Sequence, residues 1–158
     1  MLIISIRKIN WRDFMKHLDL VQKYLSNLAV LNVKLHNIHW NVVGNQFVRV
    51  HTFTEEIYDE LFEAFDEVAE LLKMKNEMPL STIAEYLENS NIEEVKAKDF
   101  SIKESLEIVK KDLETMKELA IEIRNTADDE GDFETVAIFE DYTASFSKHI
   151  WFLNSMIK

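Results

Sequence analysis

Apolar residues recur three or four positions apart along four stretches of this chain, the spacing that lays one apolar stripe along a helix. The first stripe takes in Leu18, Val21, Leu25, Leu28, Leu35 and Val42. Asn10 has the side chain of an N-cap for it, and Gly44-Asn45 is a helix-ending pair. The second runs through Ile57, Leu61, Phe65, Val68 and Leu72, weakens from Lys73 to Met78, and must stop before Pro79, which has no backbone N–H to donate. The third carries Ile102, Leu106, Val109, Leu113, Met116 and Ile123, with Ser101 and Glu104 in capping-box spacing at its start. A turn is expected at Asp128-Asp129-Glu130-Gly131. The fourth stripe, Val136, Phe139, Phe146, Ile150 and Leu153, then runs nearly to the C-terminus.

A long connection joins the second and third stretches. Within it Thr82 and Glu85 have capping-box spacing, and Ile83 to Leu87 is long enough for two helical turns. Glu88 to Lys98 is polar and reads as loop. The order is two helices with a tight turn, a crossover, and two more helices with a tight turn. The predicted fold class is therefore all-α: a ferritin-like four-helix bundle with a short extra helix in the long crossover between helices 2 and 3. Residues 1–158 read as one domain, with no internal repeat, linker or low-complexity tract.

Composition narrows the chemistry. The chain has 2 Gly, 1 Pro and no Cys, which leaves few turn residues for a β fold and no thiolate for a disulfide or metal site. Any metal must be held by His, Asp and Glu, donors that suit iron, manganese or zinc. With 18 Lys plus Arg against 29 Asp plus Glu, the formal charge is −11. Such a surface repels nucleic-acid phosphates and attracts cations, although taken alone it is first a solubility device. The start, MLIISIRKINW, has no basic region leading into an apolar one, and no stretch nears the ~20 apolar residues of a membrane span. A cytoplasmic protein is expected.

Of 5 histidines, His36, His39 and His51 crowd around the first turn. His39 precedes Gly44 by five residues and His51 follows it by seven, about 7 and 10 Å of helix rise, so two helices folded back at Gly44 bring the rings to similar heights. Asp66 and Glu70 are spaced i,i+4 and share a helix face. Asp66 lies fifteen residues beyond His51, about 22 Å along a straight helix. The two pairs can hold one ion only if a second copy of this helix packs antiparallel to the first, with a two-fold axis near Tyr58-Asp59. On spacing alone the plain readings carry more weight. A histidine near a helix end is usually a surface group, an acidic pair is usually a solvated face, and Trp40, Phe47 and Phe53 are expected in the core.

Beyond spacing, His36-Asn37-Ile38-His39-Trp40-Asn41-Val42, Gly44, Phe47, His51, Phe53, Tyr58-Asp59 and Asp66-Glu67-Val68-Ala69-Glu70 closely resemble the signature of the Dps family of mini-ferritins. So do Pro79-Leu80-Ser81-Thr82 with Glu85-Tyr86-Leu87, Glu130-Gly131-Asp132, and Lys148-His149-Ile150-Trp151, so the resemblance covers the chain from about residue 16. The nearest likeness is to acidic, tail-less members of the neutrophil-activating type. The resemblance implies a hollow homo-dodecamer of tetrahedral symmetry. It implies an iron site at each two-fold interface, with His39 and His51 from one subunit and Asp66 and Glu70 from its neighbour. Glu55 stands where some members place a carboxylate that helps a second iron. The implied activity is that of a ferroxidase: Fe(II) is oxidised, with hydrogen peroxide as the family's usual oxidant, and Fe(III) mineral is stored in the cage, which protects against oxidative damage. Trp40 is placed to intercept stray oxidising equivalents.

Some positions depart from the pattern. Leu71 follows Glu70 where relatives carry Arg, and Asn76-Glu77-Met78 replaces a Gly before the crossover Pro. Asp128, Asp132 and Glu134 are the acids available to line an entry pore, but Phe133 and Ala137 stand where many relatives have carboxylates. Arg7, Lys8 and Arg12 are the only basic residues ahead of the acidic body, so no DNA binding is expected at physiological salt. Two other functions compete: a cage whose main role is recognition by other cells, and a helical interaction module with incidental histidines. The larger ferritins fit poorly, because no histidine here has Glu three residues before it.

Overall fold

The computed structural model describes residues 15–158; the expected Asn10 cap and Arg7, Lys8 and Arg12 lie outside the described residues. Four long helices form: α1 (His17–Asn41), α2 (Phe47–Met74), α4 (Ile102–Glu130) and α5 (Phe133–Ile157). A short α3 (Ile83–Asn89) sits in the crossover, and two two-residue strands, β1 (Val42–Val43) and β2 (Phe100–Ser101), flank it in sequence. The sequence-predicted architecture is therefore the observed one. α1 packs on α2, α4 packs on α5, and α1 also rests against α3 and α4.

The stripes meet in one core. Leu25, Leu28 and Leu35 of α1, Ile57, Leu61, Val68 and Leu72 of α2, Val109, Leu113 and Ile123 of α4, and Phe139, Phe146 and Leu153 of α5 are all buried. Each such side chain contributes roughly 1.5–3 kcal/mol by leaving water. Leu71, noted above as a departure from the resembled pattern, is buried among them and serves the core. Trp40 and Phe47, expected in the core, are instead exposed, Trp40 by 69%. Phe53 is buried as expected.

The connections show why the helices stop where they do. Gly44 takes φ +136°, and a Cβ there would sit 2.9 Å from Ile102 Cγ1, so both the backbone and the neighbour require glycine. Val42, counted in the first stripe, is extended: Val42 and Val43 pair in parallel with Phe100 and Ser101, tying the end of the crossover to the first turn. Asn76 takes φ +60°, the left-handed conformation for which Asn is the usual substitute for Gly. The Thr82–Glu85 capping box is present in both directions. At Ser101 the hydroxyl accepts from the Glu104 N–H. α4 runs through Glu130, so Asp128 to Glu130, expected as turn, are still helical, and Gly131 at φ +75° ends it.

Charge fastens the end of the bundle where α1 begins. His17 is fully buried, with Nδ1 2.5 Å from Glu130 Oε2 and Nε2 2.9 Å from Asp132 Oδ2. Lys75 reaches Asp132 at 2.7 Å and also pairs with Glu134. Four helices are joined here by five side chains. Midway, Lys34 and Asp112 form a buried ion pair at 2.7 Å between α1 and α4.

Candidate metal centre

The turn at Gly44 folds α2 back along α1 and brings His39 against His51. Their rings stack with centroids 3.6 Å apart. Each Nδ1 lies 2.8 Å from the other residue's backbone carbonyl oxygen. A carbonyl only accepts, so each Nδ1 carries a proton, and in the neutral form of either ring the lone pair is on Nε2. Fixing a histidine's tautomer through its other nitrogen is how proteins orient imidazole ligands for a metal. His39 also approaches the Thr54 hydroxyl at 3.2 Å, and that hydroxyl donates to Val50 and His51 carbonyls. Burial lowers the His39 pKa, and the neighbouring His51 adds to this, against the raising effects of its bond to the His51 carbonyl and of the Glu55 carboxylate. The net direction favours the neutral ring, the form that binds metal.

Within the chain the Glu55 carboxylate raises the His39 pKa against burial, and it also raises that of Tyr58, where burial is the larger cause. Tyr58, expected with Asp59 near a two-fold axis, lies beside the histidine pair. It meets His39 edge-on at 5.2 Å and stacks on His36 at 4.0 Å, and His36 in turn touches Trp40. Thr54 and Tyr58 are the site residues that sequence reasoning missed. Their only signal was position, three and seven residues beyond His51 on a helix that faces α1.

Asp66 and Glu70 are exposed on α2. Because α2 runs unbroken from Phe47 to Met74, they stay about 22 Å along the axis from His51, outside its reach. Among the described residues no three His, Asp or Glu side chains of one chain converge as a metal site. The chain holds a histidine pair at one end of α2 and a carboxylate pair further along it. Between them on α2 lies Phe62, 63% exposed and four residues from Asp66 on the same helix face.

The acids considered for an entry pore are all engaged. Asp132 is buried between His17 and Lys75, Glu134 pairs with Lys75, and Asp128 lies 2.9 Å from Arg124. Phe133 beside them is exposed. Among the described residues, no helix is long and apolar enough to cross a membrane.

Comparison with known proteins agrees with this geometry. Residues 18–158 match the model of the ferritin-like domain. The chain is 33% identical to the DNA protection during starvation protein of Helicobacter pylori over 141 residues, covering 89% of this chain and 98% of that protein. The crystal structure of antigen TpF1 from Treponema pallidum superposes with a TM-score of 0.90 at 33% identity, covering 93% of this chain and 94% of that one. A Dps protein from Bacillus brevis gives 0.88 at 30% identity, covering 92% and 98%. Helix order, the crossover, the histidine pair and these relatives agree, and the chain belongs to the ferritin-like proteins and, among them, to the Dps family.

Proposed function

We propose that this protein oxidises Fe(II) and stores the ferric product inside a cage of twelve copies. The observation that carries the reading is the division of the donors. His39 and His51 are stacked and held through their Nδ1–H bonds at one end of α2, while Asp66 and Glu70 stand about 22 Å further on, beside exposed Phe62. An antiparallel second α2 completes the set: two imidazoles from one subunit and two carboxylates from the other, with Glu55 nearby for a second iron. Oxygen and imidazole donors suit iron in both oxidation states.

The reaction is one in which two Fe(II) each give one electron to one hydrogen peroxide. The O–O bond breaks, two protons are taken up, and two waters form. Supplying both electrons together avoids the single-electron product, hydroxyl radical. The acidic body, at formal charge −11, draws Fe(II) toward the cage and disfavours DNA as a partner. Cytoplasmic residence follows from the same reading.

The test is iron loading followed by size-exclusion chromatography. Fe(II) is added anaerobically, oxidised with peroxide, and iron and protein are followed together. Iron eluting with a particle far larger than one 18.6 kDa chain supports cage and ferroxidase together. A large particle without iron moves the function to the second reading, recognition by other cells; the Treponema pallidum relative is named as an antigen. A small species without iron overturns the proposal.

A further inference from the structure

Thr54 stands one turn beyond Val50 and His51 on α2 and is fully buried. Its hydroxyl donates toward two carbonyls of its own helix, Val50 at 3.0 Å and His51 at 2.9 Å. Those contacts alone are the ordinary habit of a threonine inside a helix. A third contact crosses to α1. Thr54 Oγ1 lies 3.2 Å from His39 Nδ1, whose other partner is the His51 carbonyl at 2.8 Å. The hydroxyl has one hydrogen, and the α2 carbonyls hold it. Toward His39 it therefore presents only lone pairs.

We propose that Thr54 is a positioning residue for the ferroxidase centre: its hydroxyl helps to hold the proton of His39 on Nδ1 and the ring in its plane, which leaves Nε2 as the nitrogen for metal. This rests on the reading of His39 and His51 as iron ligands. The His51 carbonyl has two lone pairs, and the helical pattern already assigns it the Glu55 N–H. His39 therefore shares its N–H between that carbonyl and Thr54 Oγ1 as a three-centre bond. With the proton on Nε2 instead, the Nδ1 lone pair would lie 2.8 Å from a carbonyl oxygen, and Thr54 would have to leave its helix carbonyls to relieve it.

The arrangement is one-sided. His51 Nδ1 meets the His39 carbonyl, and among the described residues no side-chain hydroxyl supports it. Threonine suits the task because its branched Cβ leaves few rotamers in a helix, so the hydroxyl is in place before any metal arrives. Thr54 acts through His39 and not on iron or peroxide. Its loss should weaken binding and leave the chemical step alone.

Co(II) binding to the assembled protein, read from the visible absorption of the ion, tests this alongside peroxide-driven Fe(II) oxidation on the same preparations. Imidazole and carboxylate donors suit Co(II) as they suit iron. Thr54→Val keeps the branched shape without the hydroxyl. It is expected to weaken Co(II) binding about 10-fold and to raise the half-saturating Fe(II) concentration by a similar factor, with the saturating rate unchanged. Thr54→Ser restores a hydroxyl and is expected to recover most of the affinity. His51→Ala marks the loss of the site. Unchanged Co(II) affinity in Thr54→Val, or a Thr54→Ser protein that binds no tighter than Thr54→Val, overturns the proposal. If circular dichroism shows that Thr54→Val fails to fold, Thr54→Ala supplies the variant without a hydroxyl for the same comparison. Wild-type protein that binds Co(II) through His51 yet oxidises no iron would sink the ferroxidase reading, and the Co(II) comparison alone then decides Thr54. Wild-type protein that holds no Co(II) overturns both.

Discussion

His39 and His51 hold each other in place: each ring Nδ1 donates to the other residue's backbone carbonyl at 2.8 Å. The bond pattern is reciprocal across the turn at Gly44, so neither ring can rotate without losing its own bond and abandoning its partner's carbonyl. Both Nε2 atoms point away from these bonds and are the ones the proposed iron site would use. His51→Ala is therefore expected to slow peroxide-driven iron oxidation by at least ~10-fold while the helices remain, because a direct ligand matters no less than an outer partner. Asp66→Ala is expected to do the same from the carboxylate pair. Stopped-flow absorbance of Fe(III) formation, with circular dichroism as the folding control, measures this. Unchanged kinetics in either variant would show that the site lies elsewhere.

The His17 cluster predicts a stability effect distant from the iron chemistry. His17 is fully buried and serves Glu130 and Asp132 at once. Replacing it with Ala removes both bonds and leaves a cavity, while Lys75 still neutralises Asp132. A loss of about 2–3 kcal/mol is expected in urea unfolding. A loss under ~0.5 kcal/mol would mean that this fastening is ornamental.

Asp132 gives the pH dependence. Burial alone would raise its pKa, but the Lys75 ammonium and the Thr135 hydroxyl and N–H outweigh it, and the carboxyl lies below the ordinary 3.8. A carboxyl with a depressed folded pKa binds fewer protons folded than unfolded at intermediate pH. Its contribution is complete above the unfolded value of 3.8 and is lost as pH falls from there through the folded value. Thermal melts from pH 6 down to pH 2 should show this acid sensitivity, and Asp132→Asn should flatten it. An identical acid limb in wild type and variant would refute the assignment.

Leu61→Ala should cost ~2–5 kcal/mol through a core cavity, since Leu61 is buried among the stripes. Iron oxidation under native conditions should be unaffected, because Leu61 projects inward while the ligands project outward or toward the turn. Denaturant midpoints and iron kinetics on the same preparation separate the two effects.

At −11 formal charge the body repels duplex DNA. A gel-shift at moderate ionic strength is expected to show no retarded band. Tight binding there would demand a basic surface that the sequence does not contain.

The sequence by itself determined the helices, their order and the crossover, because apolar spacing, Gly44, Pro79 and Gly131 act locally through backbone sterics and helix periodicity. It also offered His39, His51, Asp66 and Glu70 as candidates, through their resemblance to the Dps signature, since on spacing alone the plain readings carried more weight. Folding alone decided what depends on residues distant in sequence. Val42 left the helix for a strand because Phe100 returns beside it. Trp40 faces water because it lies off the face that carries buried Ile38, His39 and Val42, and Phe47 is exposed at the first position of α2 after the turn. Asp132, read as a pore acid, is buried because His17 and Lys75 come from other helices to meet it. The reciprocal bonds between His39 and His51 needed the closed turn, since a carbonyl and a ring twelve residues apart have no local reason to meet.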